Sequence, residues 1–113
     1  MRLQIEGQHL RVRIDEEELA RLLGGEPVLA HTRFGEAFAL RASLHLGEGA
    51  AARLSGTVDD WQLTLPAADV RAFASRLPTR DGLHYPLAAG GERALDLLFD
   101  VDVRDSVRRR RTP

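Results

Sequence analysis

The chain has 113 residues and a net charge of −1, from 16 basic and 17 acidic residues; 43% of it is apolar and 29% charged. Those are ordinary values for one globular domain large enough to bury a core without covalent staples. Every basic residue is Arg, and the sequence holds no Lys, Cys or Asn, which excludes a lysine Schiff base, a thiolate nucleophile, a cysteine-held zinc and a disulfide framework.

Arg2 to Glu6 and Gln8 to Ile14 read as two strands that meet near Gly7. In the second, Leu10, Val12 and Ile14 alternate with Arg11 and Arg13, so one face is apolar and the other carries guanidinium groups. A short helix follows. Asp15 is a good N-cap and Glu18 sits at the capping-box spacing. Leu19, Leu22 and Leu23 make one apolar stripe, and Gly24-Gly25 stops the helix. So short a helix needs a sheet to pack on. Pro27 to Phe34 reads as a third strand. A turn at Gly35-Glu36 leads to Ala37–Leu46, where Phe38, Leu40, Ala42, Leu44 and Leu46 share a face opposite Arg41, Ser43 and His45.

After the small-residue loop Gly47 to Ala52, the layout returns. Arg53 to Ser55 is a short strand, Asp59-Asp60 a turn, and Trp61, Leu63 and Leu65 alternate with Gln62 and Thr64. Pro66 opens a second helix, with Val70, Phe73 and Ala74 as its stripe. Leu83 to Leu87 is strand-like, and Pro86 makes it an edge. A turn at Gly90-Gly91 leads to Ala94–Val103. There Leu95, Leu97, Phe99, Val101 and Val103 face inward, and Asp96, Asp100 and Asp102 face out.

At a constant step of 51 residues, Leu10, Val12 and Ile14 meet Trp61, Leu63 and Leu65, and Glu18, Leu19 and Leu22 meet Asp69, Val70 and Phe73. Further on, the step drifts to 55, where Ala39-Leu40 meets Ala94-Leu95. Each half therefore reads strand, strand, helix, strand, strand, over residues 1–49 and 50–104. The expected fold is a single α+β domain over 1–104. It is a mainly antiparallel, strongly curved sheet or barrel of about eight strands with two short helices, built as a pseudo-two-fold pair. An open sheet with both helices on one face is the alternative. Residues 105–113 read as a disordered basic tail: without Arg108 to Arg111 the balance is 12 positive against 17 negative.

Leu10-Arg11-Val12-Arg13-Ile14, followed by Asp15-Glu16-Glu17-Glu18-Leu19, resembles the opening of a family of small uncharacterised bacterial proteins. That family, a domain of unknown function, begins with a basic-flanked strand pair of the form I-R-x-R-L. A helix of the form S/T-x-x-E-V-x-x-L comes next, with Asp here for Ser/Thr. The resemblance covers about 25 residues. It implies a fold and no catalytic residue, and the Arg-rich end departs from it.

The candidate sites are few. His31 and His84 follow the two helices in similar places, and a pseudo-two-fold would bring both toward its axis. Neither has metal-ligand spacing around it, so no metal and no cofactor is expected. Asp96, Asp100 and Asp102 could share a hard cation, but pairing across strands with Arg11, Arg13 or Arg41 needs no ion and balances charge. Arg11 and Arg13, with Arg2 and Arg41, could form an anion-binding face; the plainer expectation is a solvated face with cross-strand ion pairs. A charged barrel would resemble triphosphate-cleaving tunnel enzymes, but the single Glu of LQIEGQ and the absence of Lys exclude that. Arg108, Arg109, Arg110 and Arg111 could give weak, salt-sensitive nucleic-acid affinity.

No apolar run reaches the ~20 residues of a membrane span, and MRLQIEG lacks the apolar core of a secretion signal. A cytoplasmic, non-catalytic interaction or binding domain is therefore expected, docking a protein partner or a second copy, with no membrane. Alternatives are a small hydrolase or isomerase using Asp, His and Arg, and a weak nucleic-acid binder acting through the arginine tail.

Overall fold

The two alternating stretches that meet at Gly7 form a hairpin. β1 (Arg2–Glu6) and β2 (His9–Asp15) pair antiparallel in the computed structural model, which describes residues 1–87 and 94–103. Gly7 takes φ 55°, the left-handed conformation that so tight a turn requires. The apolar side of β2 is buried at Leu10, Val12 and Ile14. Asp15 ends the strand and caps α1 (Glu16–Leu23): its side chain accepts from the Glu18 amide at 2.8 Å. The Glu18 carboxylate in turn accepts from the Asp15 amide at 3.1 Å. This is the capping box that the spacing predicts, and Glu16, Glu17 and Glu18 sit at the positive end of the helix dipole.

β3 (Val28–Phe34) and β4 (Phe38–Gly47) form a second hairpin, turning at Gly35 with φ 60°. β5 (Arg53–Thr57) and β6 (Asp60–Pro66) form a third. α2 (Ala67–Ser75) begins one residue later than expected. Pro66 keeps an extended ψ of 121° and is the cap, with no side-chain hydrogen bond to offer. β7 (Leu83–Leu87) and β8 (Leu95–Asp102) complete the chain as an antiparallel pair. The turn expected at Gly90-Gly91 and the tail expected over 105–113 lie outside the described residues.

The eight strands and two helices are present, but their assembly corrects the expected single sheet or barrel. They form two separate four-stranded sheets that do not close, in the orders β1-β2-β8-β7 and β3-β4-β6-β5. Each sheet is mixed: two antiparallel hairpins joined by a parallel central contact, β2 with β8 in one and β4 with β6 in the other. The reason lies in the helices. α1 carries the chain from the first sheet to the second and packs against β2 and β8 on one side and β3 and β4 on the other. Leu19 and Leu22 fill the space between the sheets.

One apolar cluster joins both layers. β2 and β8 contribute Leu10, Val12, Ile14, Leu97, Phe99 and Val101; β4 and β6 contribute Leu44, Leu63 and Leu65. Phe73 of α2 meets Phe99 of β8 edge-on, with centroids 6.0 Å apart and planes at 64°. Both rings are out of water, so each contributes its own burial plus a favourable quadrupole contact. No helix among the described residues is long and apolar enough to cross a membrane.

Candidate functional site

The period of two in each strand sends the polar residues of the first sheet to one solvent face. Register sets who meets whom there. His9 lies beside Asp96, Arg13 beside Asp100, and Gln4 beside Arg11. Arg11 donates to Asp100 Oδ2 through Nε at 3.1 Å and through Nη2 at 2.5 Å. Arg13 Nε stands 3.7 Å from Asp100 Oδ1, beyond hydrogen-bond reach, and neither of those two buried atoms has another partner among the described residues. Arg2 donates to Asp102 Oδ2 at 3.1 Å. The arginines of this face are therefore held by carboxylates of β8, as cross-strand pairing predicts. The Arg11 donors that would grip a phosphate are turned onto Asp100.

At the start of β2 and β8 this face dips into an open depression lined by Gln4, Glu6, His9, Arg11, His84, Asp96 and Leu98. His9 Nδ1 is 3.6 Å from Asp96 Oδ2, and both side chains are largely in water. His9 was not singled out by sequence, although it is the first residue on the Arg11–Arg13 side of an alternating strand. His84 shares the depression, but among the described residues it makes no hydrogen bond to a carboxylate. His31 is not brought near it. His31 projects from β3 on the solvent face of the second sheet, with Arg41 opposite in register. The two histidines are parted because their hairpins belong to different sheets. Among the described residues no group of three His, Asp or Glu is placed to hold a metal.

The β3–β4 hairpin has a different character. β4 pairs with β6 only from Arg41 onward, so Phe38 to Leu40 have β3 as their single neighbour and the tip runs past the sheet. Phe34 and Phe38 close that tip with ring centroids 4.8 Å apart, and they stay 47% and 63% exposed. Leu29, on the other side of β3, is 67% exposed. Among the described residues neither Arg33 nor Arg41 makes an ion pair, in contrast to Arg2, Arg11 and Arg13. The alternation correctly put Phe38 on the core side of its strand. It could not show that the strand outruns the core.

One further polar contact ties the second half together. The Tyr85 hydroxyl donates to Asp69 Oδ2 at 2.7 Å, linking β7 to the first turn of α2. Burial, and then the hydrogen bond and charge of Asp69, push the phenol well above its ordinary range. Arg108, Arg109, Arg110 and Arg111 lie outside the described residues.

Fold and surface together define an α+β protein of two mixed sheets, ion-paired across one outer face and apolar at one hairpin tip. No protein-family model, no curated protein and no solved structure matches the chain.

Proposed function

We propose that the chain is a non-catalytic interaction domain that docks a protein partner through the β3–β4 hairpin. The observation that carries this is the Phe34–Phe38 pair, stacked together yet open to water at the tip of a projecting hairpin. Large apolar side chains grouped on a surface mark contact sites, and aromatic and Arg residues are the commonest anchors of such contacts. Arg33, on the opposite face of the same hairpin tip, supplies a guanidinium with no ion-pair partner among the described residues. By contrast, the arginines on the first sheet are engaged with Asp100 and Asp102.

The test is a photo-crosslinking side chain placed at Phe38, with the same group at Thr57 on β5 as control. A discrete protein adduct from Phe38 alone is expected. No adduct, or the same adducts from both positions, would overturn the reading.

We also propose that the two halves are copies of one strand-strand-helix-strand-strand unit related by a pseudo-two-fold. The register supports this. A step of 51 takes His9 to Asp60, and a step of 55 takes Arg41 to Asp96. Those four positions are the first pairs of the two parallel ladders: His9 with Asp96, and Asp60 with Arg41. The ladders end equivalently, Asp15 with Asp102 and Pro66 with Gly47. Membership of the bacterial family that the opening resembles, and a cytoplasmic setting, belong to the same proposal. The capping-box helix after an Arg-flanked strand supports the first, and the cysteine-free composition the second.

A further inference from the structure

We infer that the free edge of β3 accepts an added strand from the partner, an extended peptide that alternates acidic and apolar residues. This rests on the reading of the hairpin as a docking site and narrows it to one kind of occupant. Four strands lie at sheet edges: β1, β7, β3 and β5. Three of them are guarded. β7 carries Pro86, which has no N–H to give a ladder. β5 bends at Gly56, where φ is 99°. β1 has only five residues and is charged at both ends, with Arg2 bound to Asp102. β3 has seven residues without Gly or Pro, and from Leu29 to Phe34 every residue but Ala30 is exposed. Among the described residues β3 pairs with β4 alone, so its other edge presents unpaired backbone N–H and C=O groups to any strand that fits.

The side chains state what fits. On the solvent side of the sheet, His31 and Arg33 lie beside Arg41 and Ala39 of β4. Asp60 lies beside Arg41 in register and accepts from Gln62, whereas Arg33 has Ala39 beside it and no carboxylate. On the other side the edge shows Ala30, Thr32 and Phe34. An incoming strand thus meets, on one side, the Arg33 guanidinium, which has no ion-pair partner among the described residues, with Leu29 and His31 along the same face, and a mainly apolar surface on the other. Alternation with a period of two satisfies both at once. A second copy of the chain is a poorer match, since pairing β3 with β3 sets a second Arg33 on the same edge and β3 itself brings no carboxylate. A single-stranded nucleic acid is poorer still, since it would leave the backbone N–H and C=O groups of the edge unused.

The experiment titrates the isotopically labelled full chain with a short blocked peptide alternating Val and Asp, and with its Val-Lys counterpart, following backbone amide shifts. The acidic peptide is expected to move the amides of residues 29–34 saturably, and the basic one to leave them alone. His31→Pro, which removes an N–H from the open edge because its register partner Arg41 turns its own backbone toward β6, should weaken binding by at least about tenfold. Arg33→Glu, at an exposed position that leaves the fold intact, should turn the preference toward the basic peptide. Equal response to both peptides, shifts centred on the first sheet, the same shifts from oligothymidylate, or self-association that occupies β3 without peptide would each overturn strand addition. If the peptides miss β3 while Phe38 still crosslinks its discrete adduct, strand addition fails and the docking reading stands. Loss of both removes both.

Discussion

Asp100→Asn separates a structural charge network from a latent ligand site. Asp100 is 17% exposed and accepts two guanidinium N–H groups of Arg11, with Arg13 Nε a further 3.7 Å away. A hydrogen bond to a charged group contributes roughly 1.5–3 kcal/mol. Arg11 is 40% exposed, so water screens the pair and about 1–2 kcal/mol survives. Asn preserves the shape and one acceptor but leaves Arg11 and Arg13 without their shared counter-charge. Urea unfolding should therefore show a loss of about 1–2 kcal/mol, with Tm lower by roughly 4–8 °C for each kcal/mol. The loss should shrink in molar salt, where both the attraction and the exposed repulsion are screened. A double-mutant cycle with Arg11→Met isolates the pair and should return a coupling of about 1 kcal/mol. Titration with inorganic phosphate at low salt should detect binding to the variant that the parent lacks, because both guanidinium groups are released. Stability within about 0.3 kcal/mol of the parent, no coupling and no salt dependence would refute the account.

Phe99→Ala removes a ring that is 0% exposed and breaks its edge contact with Phe73, so chemical unfolding should register a loss of about 3–5 kcal/mol. Gly56→Ala meets two obstacles, a φ of 99° and a Cβ driven against the Asp60 carbonyl, and should cost more than about 2 kcal/mol. Gly25→Ala has open space around its Cβ and only the φ of 97° against it, so it should cost about 1 kcal/mol; the reverse order would refute the contact argument. Tyr85 is the single tyrosine of the chain. Its folded-state pKa is raised above the ordinary 10.0, so its stabilisation is complete below that pH and falls away as pH climbs beyond it. Ultraviolet titration of the native protein should find the phenol ionising above pH 10, and Asp69→Asn should move it back down.

Local structure was legible because local chemistry decides it. Asp15 and Glu18 announce a helix start, Gly7 and Gly35 announce turns, and the alternation of Leu95 to Asp102 separates core from solvent. Which strands become neighbours is not local. Leu10-Val12-Ile14 specifies a buried face, but the same face would be buried against β3 in a barrel or beside β8 as found. The helix crossing from one sheet to the other decides between them, and α1 contains no residue whose type signals that crossing. The site followed the same division. The pairing of Arg11 with Asp100 was readable from face and charge. The exposure of Phe34 and Phe38 depends on how far β4 outruns β6, a length difference between strands that pair only after folding.

The parallel contact between β2 and β8 joins residues near opposite ends of the chain, His9 with Asp96 through to Asp15 with Asp102. Such a ladder has a high contact order, so loop closure has to precede it and folding is slow for a domain of this size. During synthesis β2 can form its hairpin with β1 early, yet its other edge stays open until β8 has left the ribosome. Cutting the chain between β4 and β5 would leave two pieces, each holding two hairpins that belong to different sheets. Neither piece would hold an intact sheet, and only their reassociation could restore either parallel ladder.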